Sequence, residues 1–374
     1  MSTERLVATF IALARIDSPS RREAELAGHC AALLEGLGFD VRTDDSASVT
    51  GSNTGNIIAD LPPLDPDAPA LVLSAHLDCV QPCEGVEPVV ADGYVASAGE
   101  TVLGADDKAG IAAILEGVQR AIADGVRRGP VRVVLTVCEE VGLAGAKALD
   151  PAEVAGDLCI VLDAGGPPGG IVVGAPTHYT FSAVFTGTAA HAGAAPEKGV
   201  SALVMAAEAV TSMRLGRIDE RTTANVGTID GGTATNVVPG RVTMTGECRS
   251  LDDSYVETVR DEMDAAMSAA ASAHGGRVET AWTREYGAFE VASDAPAVQA
   301  VSAACADLGI EPHLFTTGGG SDASIFASTG TPTLVLSCGM EDIHSVTERI
   351  AVDDLETLAA LVRAVIGRIS GHPS

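Results

Sequence analysis

The chain has 374 residues, of which 46% are hydrophobic and 20% are charged, and its formal net charge is -28. This length suggests about two domains, each able to bury a core. The negative charge argues against nucleic acid or an anionic membrane as a partner, since their phosphate groups would be repelled. Acidic residues are also the ligands that many metal cations need, so metal binding is compatible with this composition.

The eight cysteines are scattered and include no C-x-x-C pair, which is typical of reduced intracellular thiols. The first residues, MSTERLVATFIALARIDS, mix charges into an amphipathic pattern and lack the basic and apolar regions of a signal peptide. No segment offers the roughly 18 uninterrupted apolar residues that would span a bilayer. The sequence therefore predicts a cytoplasmic protein.

The N-terminal part of the chain predicts two helices within residues 2–37, separated by DSPSRRE. Ser18 or Ser20 is predicted to cap the second helix, and Glu23 to complete a capping box with Ser20. Apolar strands then alternate with helices; the strands are FDVRTD, GNIIADL, ALVLSAHLD, VRVVLTVC and LCIVLDA, and the helices DKAGIAAILEGVQRAIADG and GLAGAKAL. This alternation predicts an α/β domain whose sheet is at least partly parallel and covered on both faces.

The pattern changes near Gly174, where strands of alternating character begin. Strands and helices follow in the order β-α-β-β-α-β, as HYTFSAVFTG, VSALVMAAEAVTSMR, TANVGTIDGG, GRVTMTGECRS, DSYVETVRDEMDAAMSAAASAHG and RVETAWTREY. This order favours an inserted ferredoxin-like module over residues 174–287. The α/β pattern returns afterwards with the strand TPTLVLS, so residues 1–173 and 288–374 are predicted to form one discontinuous domain.

Several predicted strands end in side chains that bind metals or transfer protons. These are His76 and Asp78 in LVLSAHLD, Glu139 and Glu140 in VRVVLTVCEE, Asp163 in LCIVLD, His344 after TLVLS, and also Asp106 at the start of a helix in LGADDKAG. Functional groups collect beyond the carboxyl ends of strands in open α/β sheets, so these side chains are predicted to meet. Two histidines and several carboxylates without a thiolate are typical of a catalytic zinc, cobalt or manganese site.

Each of these residues has a purely structural interpretation when it is taken alone. His76 and Asp78 could form an ordinary ion pair on one face of a strand, and the paired glutamates could be a solvated strand end. Asp106 and Asp107 could simply cap the helix that follows them. Their concurrence at successive strand ends favours a single metal site instead. Four further histidines are interpreted as ordinary loop residues, namely His29, His274, His313 and His372.

Nine short motifs follow one another along the chain: SAHLDCV, LGADDKAG, TVCEEVGLAGA, VLDAGG, AAHAGAAPEKG, GGTATNVVP, GECRSLD, GGGSDA and GMEDIHSVTE. Together they resemble the di-zinc metallopeptidase superfamily of peptidase T, glutamate carboxypeptidase, aminoacylase and succinyl-diaminopimelate desuccinylase. The resemblance is closest to peptidase T-like proteins, because Asp163 stands where other branches often have glutamate. It implies an α/β fold with a mixed-sheet zinc-exopeptidase-like catalytic domain and an inserted α+β ferredoxin-like dimerisation (lid) domain.

The resemblance also implies a role for each matching residue around a pair of divalent ions, zinc in the first place and cobalt or manganese as alternatives. His76, Asp106 and Asp163 would hold one ion, Asp106, Glu140 and His344 the other, and Asp106 would bridge the two. Glu139 would be the general base. Asp78 would orient His76 by accepting its second ring N–H. A cis peptide bond between Asp106 and Asp107 is implied as well.

The inserted domain is implied to supply groups that contact the substrate. His191 would reach the active site of the partner subunit in a homodimer and stabilise the oxyanion. Asn236 and Arg249 would hold the substrate, and a guanidinium suits a terminal carboxylate. Gly319, within GGGSDA, would let the backbone approach the substrate at a helix N-terminus. The structural alternatives are a loop histidine, a turn asparagine, an arginine in a salt bridge and a flexible glycine loop.

Three functions remain open. The first is a metal-dependent exopeptidase for short peptides, in particular an aminotripeptidase that releases the N-terminal residue. An N-acyl amino acid amidohydrolase would use the same ions and the same base. A non-catalytic binding protein that retains the fold is disfavoured by the presence of Glu139 and a full ligand set. A carboxylate-pair glycosidase would not require the two histidines.

Overall fold

The structure, a computed structural model, describes residues 2–370. Its helices are α1 (Ser2–Ala14), α2 (Ala24–Gly36), α3 (Ala47–Thr50), α4 (Ala105–Ala123), α5 (Ala144–Ala148), α6 (Ala202–Ser212), α7 (Asp253–Ala273), α8 (Pro296–Asp307), α9 (Asp322–Phe326) and α10 (Val352–Ile369). Short 3-10 helices cover Pro151–Val154, Pro196–Lys198 and Ala327–Thr329. His372 lies outside the described residues.

The strands are β1 (Asp40–Thr43), β2 (Ile57–Leu61), β3 (Leu71–His76), β4 (Pro88–Ala91), β5 (Tyr94–Ser97), β6 (Val131–Thr136), β7 (Leu158–Ala164), β8 (Gly170–Ala175), β9 (Thr177–Thr186), β10 (Ala190–His191), β11 (Gly216–Arg217), β12 (Thr222–Gly231), β13 (Val237–Val238), β14 (Arg241–Ser250), β15 (Arg277–Tyr286), β16 (Phe289–Glu290), β17 (His313–Thr316), β18 (Thr333–Ser337), β19 (Met340–Glu341) and β20 (Arg349–Ala351). The long helices and strands predicted from hydrophobic periodicity are confirmed.

Two compact units divide the chain. The first is built from the residues up to Gly174, from Val291–Thr316 and from Ser321 onward, and the second from Ala175–Glu290 and Thr317–Gly320. The continuous part of the second unit thus runs to Glu290, whereas the sequence predicts a boundary at residue 287. One reason is local, because the N–H of Ala288 donates to the hydroxyl of Thr177 at 2.7 Å and ties this segment to the start of β9.

The main sheet of the first unit follows the order β1-β2-β6-β3-β7-β18-β8, and β17 pairs with β8. Strands β3, β6, β7 and β18 run parallel to one another and are buried along nearly their whole length. Helices on both faces explain why these strands are continuously apolar. Their carboxyl ends, where the sequence places its histidines and carboxylates, lie at one edge of the sheet.

The capping box predicted at the start of α2 is wrong. Glu23 occupies the position before the helix, but its side chain makes no capping hydrogen bond. The Ser20 hydroxyl instead donates to the Asp78 carboxylate at 2.7 Å. The Glu23 carboxylate accepts a hydrogen bond from the N–H of Cys138 at 3.1 Å. Partners distant in sequence therefore replace the predicted capping contacts.

A small antiparallel sheet in the first unit was not predicted. Its order is β19-β20-β5-β4, and β19 pairs with β20 through Met340 opposite Ile350 and Glu341 opposite Arg349. Strands of two to four residues carry too little periodicity to be recognised in a sequence. The sheet matters for the site, because the loop between β19 and β20 carries His344.

The second unit has the predicted β-α-β-β-α-β succession. Its antiparallel sheet follows the order β11-β12-β14-β9-β15. Helices α6 and α7 pack against this sheet over a core that includes Phe181, Phe185, Met244 and Met263. The separate pair of β10 and β13 places His191 opposite Val237.

Helices α4 and α10 approach so closely that Gly117 has no room for a side chain. A Cβ atom there would lie 2.6 Å from Cγ1 of Val362 and 2.9 Å from the carbonyl oxygen of Ala359. We expect Gly117→Ala to lower the free energy of unfolding by about 1–3 kcal/mol, since overpacking outweighs the gain in helix propensity. Urea unfolding followed by circular dichroism measures this change.

The matched control for Gly117 is Gly28 in the exposed face of α2, where a Cβ would have no neighbour within 4 Å. Gly28→Ala is expected to leave stability unchanged or to raise it by up to about 1 kcal/mol. A Gly117→Ala protein as stable as the Gly28→Ala protein would contradict the close packing of α4 and α10.

Among residues 2–370, no helix is both long and apolar enough to cross a membrane. The eight cysteines are all buried, and none of them forms a disulfide in this part of the chain.

Candidate metal centre

The carboxyl edge of the main sheet brings His76, Asp106, Glu140, Asp163 and His344 together. His76 is the last residue of β3 and Asp163 lies at the end of β7. Glu140 follows β6, Asp106 lies in the first turn of α4, and His344 lies in the loop between β19 and β20. The five side chains that the sequence singled out as metal ligands are therefore neighbours in the first unit.

Asp106 faces both histidines with different oxygen atoms. Its Oδ1 lies 3.1 Å from Nε2 of His76, and its Oδ2 lies 3.2 Å from Nε2 of His344. The backbone that presents this carboxylate is unusual, because the Asp106–Asp107 peptide bond is cis, as the resemblance implied. Glu348 holds this turn by accepting hydrogen bonds from the N–H groups of Gly104 at 2.7 Å and Asp106 at 2.9 Å.

Two further carboxylates complete the two halves of the site. Oδ1 of Asp163 lies 3.7 Å from Nε2 of His76, and Oε1 of Glu140 lies 3.0 Å from Nε2 of His344. Ligand atoms that are each about 2.0–2.2 Å from a zinc ion are separated by distances of this size. Each histidine thus faces Asp106 and one further carboxylate, which gives one donor group around each histidine. Donor atoms of His76, Asp106 and Glu140 also lie within 4.8 Å of one another.

The second ring nitrogen of His76 is held by Asp78, but not in the way the sequence suggested. Nδ1 of His76 lies 2.9 Å from the main-chain oxygen of Asp78, whereas the Asp78 carboxylate is 3.7 Å away. The main chain therefore replaces the carboxylate as the expected acceptor. A proton on Nδ1 leaves Nε2 free to bind a metal.

The Asp78 carboxylate instead supports the two glutamates. Its Oδ1 accepts a hydrogen bond from the N–H of Glu139 at 2.9 Å, and its Oδ2 accepts one from the N–H of Glu140 at 3.2 Å. Ser20 donates to the same carboxylate. Asp78 is fully buried, so this anchor fixes the main chain of the predicted general base.

Burial and like-charge repulsion raise the pKa values of carboxyl groups in this site, whereas hydrogen bonds from the histidines lower that of Asp106. Burial, followed by the charge of Asp106, raises the pKa of Asp163 well above its ordinary value. Burial and the charge of Asp163 likewise raise the pKa of Glu139. Burial also acts to raise the pKa of Asp106, but hydrogen bonds from His344 and His76 outweigh it, and the pKa lies well below its ordinary range.

The same contacts affect the histidines. Hydrogen bonds to Asp106 and Glu140 raise the pKa of His344 to about 10. Positive charge is thus strongly favoured among these carboxylates. Divalent cations satisfy this demand without protonating the ligands, and they invert the local pKa pattern. The donor set fits metal ions for this reason.

Three buried carboxylates beside the site were not recognised in the sequence as functional. Asp107 accepts a hydrogen bond from the N–H of His76 at 3.1 Å, and one donor atom each from His76, Asp107 and Asp163 lie within 4.8 Å of one another. Glu348 holds the Asp106 turn. Asp322 accepts a hydrogen bond from the Thr136 hydroxyl, and burial raises its pKa to about 6. The GGGSDA motif contains Asp322 and is the signal that could have identified it.

The predicted substrate-contacting residues lie in the second unit and form two groups. His191 and Asn236 belong to the first, where the Asn236 carbonyl accepts a hydrogen bond from the N–H of Ala192 at 2.9 Å. Nδ1 of His191 accepts hydrogen bonds from the N–H groups of Gly193 at 3.2 Å and Ala194 at 3.1 Å. The ring proton of His191 therefore resides on Nε2, where it can be donated.

The second group contains Arg249 and the segment Thr317–Gly320, which includes Gly319. Nη1 of Arg249 donates to the carbonyl oxygen of Gly318 at 3.2 Å, and Nη2 donates to Glu247 at 2.9 Å. Glu247 also contacts Nε2 of His178, a histidine that the sequence analysis missed, at 2.9 Å. Hydrogen bonds from His178, opposed by burial and aided by Arg249, lower the pKa of Glu247 to about 2.

The fold and the cluster of two histidines and several carboxylates at a sheet edge are those of a metal-dependent hydrolase. The chain belongs to peptidase family M20/M25/M40, whose family model matches residues 72–368. This result confirms the superfamily that the motifs indicated.

Individual relatives match almost the whole chain. The aminopeptidase PepT of Bacillus cereus is 40% identical, with a TM-score of 0.93 and 98% of both chains covered. A tripeptidase of Staphylococcus aureus is 36% identical, with a TM-score of 0.96 and 99% of both chains covered. The Bacillus subtilis protein YqjE, which is described as uncharacterised, is 40% identical over 98% of both chains. Together with the family match, these similarities confirm the prediction of a metallopeptidase that resembles peptidase T.

Proposed function

We propose that the protein is a tripeptide aminopeptidase that uses two divalent metal ions, zinc in the first place, to release the N-terminal residue of short peptides. The observation that carries the proposal is the position of Asp106 between His76 and His344, with one carboxylate oxygen toward each. A carboxylate in this position suits a bridging ligand. The names of the PepT aminopeptidase and the tripeptidase support the choice of substrate.

The ligand assignment follows the two donor groups. His76 and Asp163 would hold one ion and Glu140 and His344 the other, with Asp106 shared between them. Two ions so held would polarise the scissile carbonyl and lower the pKa of a water molecule. These five ligands comprise three carboxylates and two imidazoles. Asp107 lies beside them, and burial raises its pKa well above its ordinary value, so its protonated form is favoured.

Glu139 would transfer the proton. Its carboxylate takes the proton of the attacking water and then delivers it to the nitrogen of the leaving amine. Burial raises the pKa of Glu139 and so makes its carboxylate a stronger base, and bound cations would keep that carboxylate ionised before it takes the proton. Asp78 keeps the main chain of Glu139 in place through the hydrogen bond to its N–H.

The substrate would be held by groups of the second unit. Arg249 would bind the C-terminal carboxylate of the peptide by paired hydrogen bonds, Asn236 would contact its main chain, and the backbone at Gly319 would lie alongside it. His191 would donate a hydrogen bond from Nε2 to the oxyanion. These assignments give the preference for short peptides with a free C-terminus.

The test of the substrate class is a competition experiment. Zinc- or cobalt-loaded protein is incubated with an equimolar mixture of free tripeptides and N-acyl amino acids, and the products are identified by mass spectrometry. Loss of the tripeptides with release of their N-terminal residues is expected. Deacylation without peptide cleavage would contradict the aminopeptidase and assign the protein to the amidohydrolases.

The proposal includes a homodimer formed through the second unit, in which His191 acts in the partner's site. Leu203, Val204 and Ile229 of this unit expose 45%, 48% and 47% of their surface, although residues of this kind are usually buried. On the outer side of β12, the short strand β11 pairs only with Thr223 and Ala224. Further along this edge, β12 is available for pairing.

Subunit exchange tests the action of His191 in the partner's site. His191→Ala should lower kcat by about 10²–10³-fold, the usual effect of losing one oxyanion donor, and Glu139→Gln should also be inactive. Mixed dimers of the two variants contain one intact site. We therefore expect the exchanged mixture to recover about a quarter of wild-type activity. A mixture that remains inactive, or a fully active monomer in sedimentation, would contradict this arrangement.

A further inference from the structure

Four consecutive main-chain N–H groups in the segment Val137–Glu140 are each bound by a buried side chain. Val137 donates to Oδ1 of Asn56 at 3.0 Å, Cys138 to Oε1 of Glu23 at 3.1 Å, Glu139 to Oδ1 of Asp78 at 2.9 Å and Glu140 to Oδ2 of Asp78 at 3.2 Å. The three acceptor residues are each 0% exposed. A series of acceptors this complete indicates that the position of this segment is closely controlled.

The segment needs this support because its backbone is strained. Cys138 has a φ of 56°, a left-handed conformation that costs a non-glycine residue about 1–3 kcal/mol and persists where the surroundings enforce it. The strained residue directly precedes Glu139. A change in the conformation of Cys138 would therefore move the carboxylate that is proposed to transfer the proton.

Glu23 is the acceptor at the strained residue itself. Its Oε1 accepts hydrogen bonds from the N–H of Cys138 and, at 2.8 Å, from the N–H of Arg21, and the Cys138 thiol lies 3.3 Å from the same atom. Its Oε2 accepts a hydrogen bond from the Ser52 hydroxyl. A carboxylate can accept from all of these donors at once. An ordinary capping role does not explain Glu23, because its side chain makes no hydrogen bond to the start of α2.

We propose that Glu23 is a positioning residue for Glu139, which it holds in place through the N–H of Cys138. Both Glu23 and Asn56 precede residue 72, where the family match begins. Residues before position 72 therefore hold the main chain at Val137 and Cys138, directly before Glu139. The effect on turnover rests on the proposed role of Glu139, but the hold on the turn can be measured without any reaction.

The experiment compares Glu23→Ala with Glu23→Gln in the full-length, metal-loaded protein. Alanine removes the acceptor, whereas glutamine keeps an oxygen that can bind the N–H of Cys138. Glu23→Ala is expected to lower kcat by about 10–100-fold with little change in KM, the range typical of groups that orient an active-site residue. Hydrogen exchange of residues 137–142 should become faster in this variant. Glu23→Gln should stay close to the wild type in both measurements.

Glu116→Ala is the matched control. Glu116 is a buried carboxylate in α4 that binds Arg5 and Arg120, and its loss should lower the melting temperature without changing kcat or exchange at residues 137–142. The proposal is overturned if Glu23→Ala behaves like this control, or if Glu23→Gln is impaired as much as Glu23→Ala. A wild-type protein without peptidase activity would contradict the proposed function, while the exchange measurement would still test the contact of Glu23.

Discussion

Replacement of Glu139 by glutamine is expected to lower kcat by about 10²–10⁴-fold, the usual contribution of a general base, while the metal content stays unchanged. Glutamine has the shape of glutamate, but its amide cannot take up and release a proton as a carboxylate does. The N–H of residue 139 can still donate to Asp78, so the main chain keeps its anchor. Steady-state kinetics and elemental analysis by mass spectrometry measure the two effects on the same sample.

The adjacent glutamate provides the comparison. Glu140 lies 3.0 Å from His344, so Glu140→Gln should reduce the metal content, in contrast to Glu139→Gln. The paired glutamates would then divide metal binding and proton transfer between them. A Glu139→Gln protein that retains kcat within about tenfold of the wild type would remove the proton-transfer role, and one that has lost metal would make Glu139 a ligand.

The parts of this site that the sequence predicts share one physical cause. Parallel strands end at the same edge of a sheet, so side chains that follow continuous apolar runs must be neighbours. His76, Glu140 and Asp163 could be identified in this way, each at the end of a strand. His344 is further removed, because it follows β18 by several residues, but its position after the apolar run TLVLS still indicated the same edge of the sheet.

Other parts could not be predicted, because they depend on contacts between distant residues. Glu23 and Cys138 are 115 residues apart, and Glu348 binds the N–H of Asp106 across 242 residues. No local period connects such positions. The hydrogen bond of His76 is a further example, since the predicted acceptor was the carboxylate of Asp78, whereas the main-chain carbonyl of that residue accepts the ring N–H. Backbone geometry decides between the two oxygens.

The conformation of the main chain around the ligands is also set by tertiary contacts. His344 has a φ of 63° and Asp342 a φ of 54°, conformations that are uncommon outside glycine and that no pattern in the sequence marks at these two positions. The pairing of β19 with β20 encloses this loop. Strained residues that cluster at a site are maintained by the surrounding structure, and here they direct one histidine toward Asp106.

Replacement of Asp106 by asparagine is expected to weaken the binding of both proposed metal ions together. Each Asp106 oxygen faces a different histidine, at 3.1 and 3.2 Å, and the amide nitrogen of asparagine cannot serve as a ligand in place of the second oxygen. The substitution also removes a negative charge from between two cations that are roughly 3.5–4 Å apart in sites of this type. The ion that keeps an oxygen ligand therefore loses the charge that offsets the repulsion from its neighbour.

The affinity of both sites should fall by more than the roughly 10–100-fold that follows the loss of an outer partner of a ligand. Isothermal titration of metal-free protein with zinc, together with the metal content after dialysis, measures the two sites. Asp163→Asn is the control, because Asp163 lies beside His76 and its loss should weaken one site more than the other. If Asp106→Asn likewise released a single ion and left the second at wild-type affinity, Asp106 would be a terminal ligand, and the two histidines would belong to sites that bind independently.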